Sequence, residues 1–580
     1  MAEIGHSRTQ DHKADDKATV NNGKGIQPEA IYPSGLRLAM LIMSILIGMF
    51  LVSLDRMIIS TAIPQITNEF DSAGDMGWYG TAYSLTNCAF QLMFGKLYPS
   101  FNIKAIFMSS IILFEAGSAL CGAAPSSIAF ILGRSIAGIG AGGILSGAMV
   151  IIAYAIPLHK RPKYQGFFGA VFGVASVSGP LIGGAFTTDA TWRWCFYINL
   201  PLGGVVLVVV FFLLHVPARP ATNSPLKEKL RQLNFLGMVA LFPGVVCLCL
   251  ALQWAGTTYN WSNGRIIALL VLAFILLIAF VVIQIWKPEQ ATLPPKILFQ
   301  RSIASGFWVS CCQGAHTMII IYYFPIWLQA IEGISAVNSG IHLLPTIIPL
   351  VIASIVTGQL ISRIGYYTPF LIFGVCLTSI GAGLLTTLDV NTSEAKWIGF
   401  QILYGYGLGS TTQINNVAAQ TVLSRKDVAI GASLMFFGQQ LFGAIFTSVG
   451  ENVLSNQLAK RLGHIPGVDV TPRVIQSTGA TEVLSLIPEE YRDDALRAYN
   501  NSLRVCFQVG LIMACLAIIG ALGMEWRTSN LFNQPNLASL ALLLTSASGT
   551  KASNPCQHPG QTCNSVATPS LHNLAAYARS

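Results

Sequence analysis

Long apolar stretches alternate with short polar segments along almost the whole chain. Each stretch is long enough to cross a bilayer as a helix, which takes about 20 residues. The stretches are continuously apolar, without the alternation of a membrane barrel, so spanning strands are excluded. The pattern predicts an all-α polytopic membrane protein of about 14 transmembrane helices, at residues 37–60, 78–98, 103–123, 127–154, 164–186, 197–216, 233–253, 265–286, 303–329, 339–361, 369–388, 397–420, 428–450 and 503–523.

The composition supports this class and excludes several others. Of the 580 residues, 53% are hydrophobic and 10% are charged, whereas a soluble protein has about 25% charged residues. The net charge of +9 does not indicate nucleic-acid binding, because the basic residues lie in short segments between apolar runs. The 12 cysteines lack the paired spacing of a zinc site, so no metal site is predicted. No spanning segment holds a nucleophile and base set typical of an enzyme.

The distribution of Lys and Arg predicts the orientation. Basic residues collect in alternate loops, whereas the short loops on the other side carry only Arg193, Arg265 and Lys396. Basic loops stay in the cytosol, so the N-terminus is predicted to be cytosolic. The polar ends, residues 1–36 and 524–580, are predicted to be disordered cytosolic tails. The segment 451–502 is predicted to be a long outer loop, because long loops cross the membrane largely regardless of charge.

Three glycosylation sequons agree with this orientation. Asn260, Asn391 and Asn500 each begin an Asn-x-Ser/Thr pattern, and all three fall in segments assigned to the outside. Glycans are attached to such asparagines in lumenal or outer segments. The pattern is short and occurs often by chance, but these asparagines are the predicted glycosylation sites.

Two glycine patterns recur at a spacing that indicates an internal duplication. Gly95-Lys96-Leu97 follows the second predicted span, and Gly358-Gln359-Leu360, with Arg363 and Gly365, follows the tenth. Alternate glycines occur after Arg134 and again after Gln401. The chain is therefore predicted to contain two six-helix bundles, 37–216 and 303–523, with two linker helices inserted at 217–302. Duplicated halves are typical of transporters that move around a central site.

Further motifs lie in the first half: Leu54-Asp55, Thr61-Ala62-Ile63-Pro64, Trp78 to Tyr83, Phe94 to Tyr98, Gly133-Arg134, Gly179 to Gly184, and Trp192-Arg193-Trp194 with Phe196, Ile198, Asn199 and Pro201. Together with the repeat, they resemble the major facilitator superfamily, specifically its 14-span drug:proton antiporter branch found in fungal toxin and multidrug exporters. The resemblance covers nearly all of 37–523. Tyr98 and Ser100 depart from the usual loop motif, and Arg56 is uncommon at its position in the branch.

The resemblance implies a proton-coupled antiporter that exports a toxin, secondary metabolite or drug-like molecule by alternating access. Its partners would be a small organic substrate and protons, it would need no cofactor, and it would act as a monomer. The expected location is the plasma membrane, with the vacuolar membrane as the alternative. The matching element Gly179, Pro180, Gly183 and Gly184 is associated with antiport, although close helix packing is an equally simple role for such glycines.

Few ionisable side chains lie at membrane depth, where each costs about 2.5–3.5 kcal/mol and therefore needs a partner or a task. Asp55 is interpreted either as a proton carrier or as half of a structural salt bridge. The resemblance assigns Arg134 to proton coupling, while packing against backbone carbonyls is its structural alternative. Glu115 is either the partner of Arg134 or a second proton site. His316 and His342 are further candidates, because histidine is the side chain whose charge can change near neutral pH, but a lone helix histidine is more often a packing residue.

The predicted substrate cavity is lined by aromatic and amide side chains, a mixture that suits bulky and moderately polar organic molecules. The candidates are Tyr83, Asn87, Gln91, Gln313, Tyr323, Asn415 and Gln439, with Tyr322, Trp327, Gln413, Asn416 and Gln440 as further members.

No phosphate-binding GxxxxGK[ST] loop occurs, so ion coupling is the predicted energy source. Two alternatives to export remain. One is a vacuolar transporter of basic amino acids, which would need an anionic cavity. The other is a non-transporting nutrient receptor on a transporter fold, which would need a signalling tail.

Overall fold

A computed structural model describes residues 35–72, 75–214, 225, 227, 229, 233–256, 259–288, 290–463, 487 and 489–528. The described chain is built of helices: α1 Gly35–Phe70, α2 Met76–Ser100, α3 Ile103–Gly122, α4 Ser127–Ala155, α5 Arg161–Asp189, α6 Trp194–Tyr197, α7 Asn199–Leu213, α8 Phe235–Trp254, α9 Gly264–Trp286, α10 Pro295–Leu298, α11 Arg301–Ala330, α12 Ala336–Ile341, α13 Leu344–Ile364, α14 Thr368–Leu385, α15 Glu394–Thr411, α16 Ile414–Val422, α17 Val428–Leu462 and α18 Arg492–Gly523. We call α1–α7 the N-terminal half and α11–α18 the C-terminal half.

The helical membrane fold predicted from the apolar pattern is confirmed. Within the described residues, eleven helices are long and apolar enough to cross a membrane. The other three predicted spans correspond to α2, α11 and α15, which are helical but carry too many polar residues to meet the same test. The count of fourteen spans therefore stays a prediction.

Short polar residues start several of these helices. The side chain of Asn102 accepts hydrogen bonds from the backbone N–H of Lys104 and Ala105 at the start of α3. Ser126 caps α4 and Asn234 caps α8 in the same way. Such caps satisfy N–H groups that have no partner within the helix, and each contributes about 1 kcal/mol. They explain why the long apolar runs divide into helices at these polar positions.

The two glycine series make the same contacts in each half. In α4, Gly138 and Gly142 face α2, at Tyr83 and Asn87, while Gly140 faces α3 at Phe114. In α15, Gly405 and Gly409 face α13, at Thr346 and Leu350, while Gly407 faces α14 at Thr378. A side-chain carbon at any of these glycines would collide with or crowd its neighbour. Each half thus brings three helices together through alternate glycines, as close helix approach requires.

The linker helices α8 and α9 pack against each other, and α8 packs against the edge formed by α2 and α17. The ring of Phe242 lies 4.9 Å from that of Phe90. Leu241 and Val245 join an apolar cluster with Leu85 of α2 and Leu434 of α17. The inserted pair therefore covers one side of the boundary between the halves.

Several helix ends differ from the predicted ones. The segment 451–502, predicted as an outer loop, is helical at both ends, because α17 continues to Leu462 and α18 begins at Arg492. Parts of both predicted disordered tails lie in the described chain, because residues 35 and 36 start α1 and residues 524–528 follow α18. Glu525 accepts a hydrogen bond from the Thr368 hydroxyl through its backbone carbonyl, and Thr528 bridges to Tyr366. Residues 1–34 and 529–580 lie outside the described residues.

The three predicted glycosylation sites have different environments. Asn260 and Asn391 are exposed. Asn500 lies within α18 and is 1% exposed. Its Oδ1 accepts a hydrogen bond of 2.7 Å from the Trp327 indole, and its Nδ2 donates to the Leu388 carbonyl at 3.1 Å. A glycan at Asn500 has no room in this fold, so that prediction is wrong, whereas glycosylation of Asn260 and Asn391 stays a prediction.

Candidate functional site

A buried ion pair joins α1 to α4. Arg134 Nη1 lies 2.5 Å from Asp55 Oδ2, and the two side chains are 1% and 0% exposed. Arg134 Nε also donates to the backbone carbonyl of Tyr79 at 3.0 Å. Its guanidinium lies over the Tyr83 ring, 4.4 Å from the ring centroid. The cation therefore has a carboxylate, a carbonyl and an aromatic face as partners, which offset the cost of removing it from water.

Asn199, at the start of α7, completes the surroundings of this carboxylate. Its Nδ2 donates to Asp55 Oδ1 at 3.3 Å and to the Ser118 hydroxyl at 3.1 Å. Both oxygens of Asp55 thus accept hydrogen bonds, one from Arg134 and one from Asn199. The sequence motif around Trp192 contained Asn199, but no role was predicted for it. In the sequence, Asn199 could be recognised only as an amide residue at the start of an apolar run that contains Pro201.

Glu115 is not the partner of Arg134, so this alternative is wrong. Glu115 lies on α3 with 8% exposure, and within the described residues neither of its carboxylate oxygens has a hydrogen-bond partner. It packs against Gly203 of α7, where a side-chain carbon would overlap the carboxylate. A buried carboxyl group without a partner is costly, so its role as a second proton site stays a prediction.

The predicted antiport element in α5 packs mainly against α1. A side-chain carbon at Gly179 would lie 2.7 Å from Met57 Cβ, and one at Gly183 would overlap Thr61 Oγ1. Gly184 faces open space, and Pro180 is half-buried. These glycines therefore bring α5 against the turns of α1 that directly follow Asp55. Gly166 of α5 instead contacts the C-terminal half, at Ser354 of α13.

Replacing Gly183 with alanine should destabilise the protein, because the new methyl group overlaps Thr61 and crowds Ile58 of α1. Overpacking of this kind costs about 1–3 kcal/mol of the free energy of unfolding. Gly184→Ala is the matched control, since it adds the same group one residue away in open space. Thermal unfolding of both variants in detergent should show a lower midpoint for Gly183→Ala alone. Equal midpoints would contradict the close α1–α5 contact.

The loop-motif glycines bring the two halves together. Gly95 of α2 faces Ser433 and Ile430 of α17, with contacts of 3.1 and 3.3 Å from the position of a side-chain carbon. Gly358 of α13 faces Pro162 and Gly166 of α5. The two contacts are equivalent, because in each the helix that carries the loop-motif glycine packs against a helix of the other half. The remaining motif residues lie nearby: Lys96 and Leu97 are half-buried, Arg363 is exposed, and Gly365 ends α13 with a φ of 91°.

Hydrogen bonds reinforce this boundary at the end predicted to face the cytosol. The hydroxyls of Ser146 in α4 and Ser433 in α17 lie 3.0 Å apart and are both buried. The Ser354 hydroxyl of α13 donates to the Gly166 carbonyl of α5 at 2.8 Å. The Ser362 hydroxyl donates to the His159 carbonyl at 2.7 Å. We call these contacts the inner seal.

The second half has a different polar pair at the equivalent place. Asp55 lies nine residues before Pro64, and His316 lies nine residues before Pro325. His316 is 3% exposed, and its Nδ1 lies 2.9 Å from the Tyr404 hydroxyl of α15. His342 has its Nδ1 at 2.7 Å from the Asn338 carbonyl. Both histidines have hydrogen-bond partners, as packing histidines do, so the C-terminal half has no counterpart of the Asp55–Arg134 pair here.

The predicted cavity residues fall into separate groups, one in each half. Tyr83, Asn87 and Gln91 are buried between α2 and α4, with the Tyr83 hydroxyl donating to the Val52 carbonyl and the Gln91 amide to Ser146. The others lie in the C-terminal half: Gln313 donates to Thr412, Asn415 to Ser310, Tyr323 to the Thr447 carbonyl, and the Gln439 backbone contacts Gly314.

Some buried amide oxygens nevertheless have no hydrogen-bond partner in the described chain. They are Asn87 Oδ1, Gln91 Oε1, Asn415 Oδ1 and Asn416 Oδ1. Buried polar atoms are rarely left unpaired without a reason. Of the further cavity candidates, Tyr322 is 53% exposed and Trp327 is buried in the hydrogen bond with Asn500.

The duplicated helix arrangement, the apolar spans and the buried ion pair between spanning helices define a membrane transporter rather than an enzyme. Residues 45–447 match the family model of the Major Facilitator Superfamily. The chain belongs to this superfamily, and the resemblance to its fungal exporters is confirmed by the relatives described next.

Two relatives are similar over most of the chain. An MFS-type transporter of Claviceps purpurea is 50% identical over 503 residues, which cover 87% of this chain and 87% of that protein. The MFS-type efflux pump MFS1 of Arthroderma benhamiae is 49% identical over 497 residues, covering 85% and 92%. Among solved structures, the proton:xylose symporter XylE shares the fold, with a TM-score of 0.53 at 14% identity over 85% of this chain and 98% of that one.

Proposed function

We propose that the protein is a proton-coupled antiporter of the plasma membrane that exports a toxin, secondary metabolite or drug-like molecule by alternating access. The observation that carries the proposal is the Asp55–Arg134 pair, in which a carboxylate and a guanidinium are buried together between two spanning helices. Ionisable groups at this depth are costly and are typical of proton relays.

The pair can couple proton binding to helix movement. A proton on Asp55 cancels its charge and weakens its attraction for Arg134, whose Nη1 is the group that now holds Oδ2. Arg134 stays charged at any physiological pH, so the released cation must move or find another partner. Because Asp55 lies on α1 and Arg134 on α4, the contact between these helices then changes with protonation.

A polar chain leads from Asp55 toward Glu115. Asn199 binds both Asp55 and Ser118, and Ser118 lies on α3 three residues after Glu115. Residues three apart on a helix share a face. Glu115 therefore lies close to the network around Asp55, and the role we propose for it is a second proton site.

The inner seal is the part that must open for substrate to enter from the cytosol. It consists of contacts between α4 and α17 and between α5 and α13, which join opposite halves. In a duplicated transporter, alternating access is largely a rigid-body movement of one half against the other. The glycines at these contacts leave flat helix surfaces that can separate and meet again.

The proton gradient is sufficient for export. One proton entering down ~100 mV releases about 2.3 kcal/mol, and one pH unit adds about 1.4 kcal/mol. Together they sustain a gradient of several hundred-fold for a neutral substrate, since about 1.4 kcal/mol corresponds to tenfold. The export direction is supported by the Arthroderma relative, which is named an efflux pump.

Uptake into inside-out plasma-membrane vesicles tests the proposal, because export in the cell is uptake in such vesicles. With an acidic interior, the wild-type protein should accumulate members of a panel of radiolabelled toxins and drugs, and a protonophore should abolish the accumulation. Vesicles without the protein are the control. Accumulation that is unaffected by the protonophore would contradict proton coupling, and accumulation of basic amino acids alone would favour the vacuolar alternative.

A further inference from the structure

Arg56 is a cation within a spanning helix that has no carboxylate within 4.0 Å in the described part of the chain. It follows Asp55 in α1 and is half-buried. Its Nη1 donates to Gln440 Oε1 of α17 at 2.9 Å, and its Nη2 lies 3.9 Å from Met318 Sδ of α11. A cation at membrane depth is expensive, and here its partners are a neutral amide and a thioether.

The neighbouring acid does not neutralise this charge. Asp55 Oδ2 accepts from Arg134, and its Oδ1 accepts from Asn199. Glu115 lies on α3 against Gly203, away from the C-terminal half. Asp55 is thus the counter-ion of Arg134, and Arg56 has no counter-ion within 4.0 Å among the described residues.

The C-terminal half is shaped to meet Arg56. At Gly314 of α11, the backbone carbonyl of Gln439 occupies the place of a side chain. At Gly443 of α17, Met318 Cγ lies 3.1 Å from the same position. These two glycines let α11 and α17 pack closely, which fixes Met318 and Gln440 opposite Arg56. On the other side, Gly179 of α5 packs against Met57 and fixes the adjoining turn of α1.

We propose that Arg56 and Gln440 bind the anionic group of the exported molecule, so that the substrate class is an organic acid with an apolar body. This inference rests on the proposed function and specifies its substrate. A guanidinium presents two parallel N–H groups that match a carboxylate or an ionised phenol or enol. Gln440 can then turn its amide N–H toward the same anion. The flexible Met318 side chain adapts to different apolar bodies.

The position of Arg56 also links binding to movement. Its hydrogen bond with Gln440 joins α1 of one half to α17 of the other. An anion on the guanidinium replaces the direct Arg56–Gln440 hydrogen bond with contacts of its own, so the connection between the halves differs with and without substrate. Such a difference is what allows a ligand to shift a conformation, because it makes different contacts in the two states.

Equilibrium binding of three isosteric probes tests the proposal on the purified full chain in detergent. Naphthoate, naphthamide and naphthylmethylammonium carry an anionic, a neutral and a cationic group on the same ring system. The wild-type protein should bind naphthoate at least about tenfold more tightly than naphthamide, as expected for one charge-assisted contact. Thermal stabilisation as a function of probe concentration gives the affinities. Equal affinities, or absence of naphthoate binding, would overturn the proposal.

Variants at two positions show whether Arg56 is responsible. Arg56→Gln should lose the preference for naphthoate, while Arg56→Lys should keep part of it, because a point charge lacks the planar pair of donors. Gln440→Glu should also lose it, because the new carboxylate would occupy Arg56, whereas Gln440→Ala, which removes only a neutral hydrogen-bond donor, should keep most of it. Both Gln440 variants keep Arg56, so they test the proposal even if the Arg56→Gln protein fails to fold. If the Gln440→Glu protein still preferred naphthoate to naphthamide as strongly as the wild-type protein does, the proposal would be overturned.

The same probes separate this inference from the proposed function. Binding in detergent needs no gradient, so it does not depend on proton coupling. Binding that requires Arg56, together with vesicles that show no gradient-driven uptake, would contradict the proposed function and support this inference. Gradient-driven uptake of panel members by a protein that does not prefer naphthoate would support the proposed function and contradict this inference.

Discussion

Replacing Asp55 with asparagine is expected to abolish uphill, proton-driven transport. The amide has nearly the shape of the carboxylate, and its oxygen can still accept a hydrogen bond from Arg134, but it cannot take up and release a proton. Substrate exchange across vesicles without a gradient should persist, because exchange needs the movement of the halves but no net proton transfer. The measurement is uptake into inside-out vesicles with and without an imposed pH gradient, beside exchange of preloaded substrate.

A second variant distinguishes coupling from a structural salt bridge. In Asp55→Asn the buried Arg134 loses its counter-ion, and breaking a buried pair in this way costs about 3–5 kcal/mol. The double variant Asp55→Asn with Arg134→Gln removes both charges and should recover most of the stability. If the pair is structural, the double variant also recovers uphill transport. If Asp55 carries the proton, it recovers the folded protein at the membrane but not uphill transport.

The helices could be predicted from the sequence because each bilayer crossing requires a continuous apolar run. Their ends could not. The first turns of α18, beginning at Arg492, are polar and carry no hydropathy signal. They are helical because they pack on protein, with Asn500 bonded to Trp327 of α11. The same packing explains why Asn500, which begins an Asn-x-Ser sequence, is buried in the fold.

The candidate site was predicted in part. Asp55, Arg134 and Glu115 stand out in the sequence because charge is rare in spanning segments. The choice of partner for Arg134 depends on which helices touch, and Asp55 is 79 positions away along the chain. The sequence pattern also could not separate amides that line a cavity from those that bond within a half, such as Gln313 with Thr412. The position of a residue along its own helix does not show which neighbouring helix its side chain contacts.

Arg56 illustrates a signal that the sequence contained but could not interpret. Its charge beside Asp55 was visible, but the sequence pattern did not show which helices either side chain faces. Adjacent residues on a helix point in different directions, since successive side chains are about 100° apart. Asp55 therefore faces α4 and α7, while Arg56 faces α11 and α17. One turn of α1 thus provides both the proposed proton site and the proposed substrate site.

A disulfide across the inner seal is expected to stop transport. The hydroxyls of Ser146 and Ser433 are 3.0 Å apart, and Gly95 lets the two helices approach at this level. In the double variant Ser146→Cys with Ser433→Cys, the thiols lie close enough for oxidation to link α4 to α17. Since the two helices belong to opposite halves, the covalent bond prevents the movement that opens the cytosolic side. Transport in vesicles should fall to background on oxidation and recover on reduction.

Each single-cysteine variant is the matched control, because it contains one new thiol and cannot form the bridge. The native cysteines of the described chain are free, so the wild-type protein must be oxidised in parallel to exclude effects of their oxidation. A protein that is fully cross-linked, as shown by its mobility without reductant, and still transports would mean that Ser146 and Ser433 stay together throughout the cycle. The opening would then lie elsewhere, for example where α13 contacts Gly166 and His159.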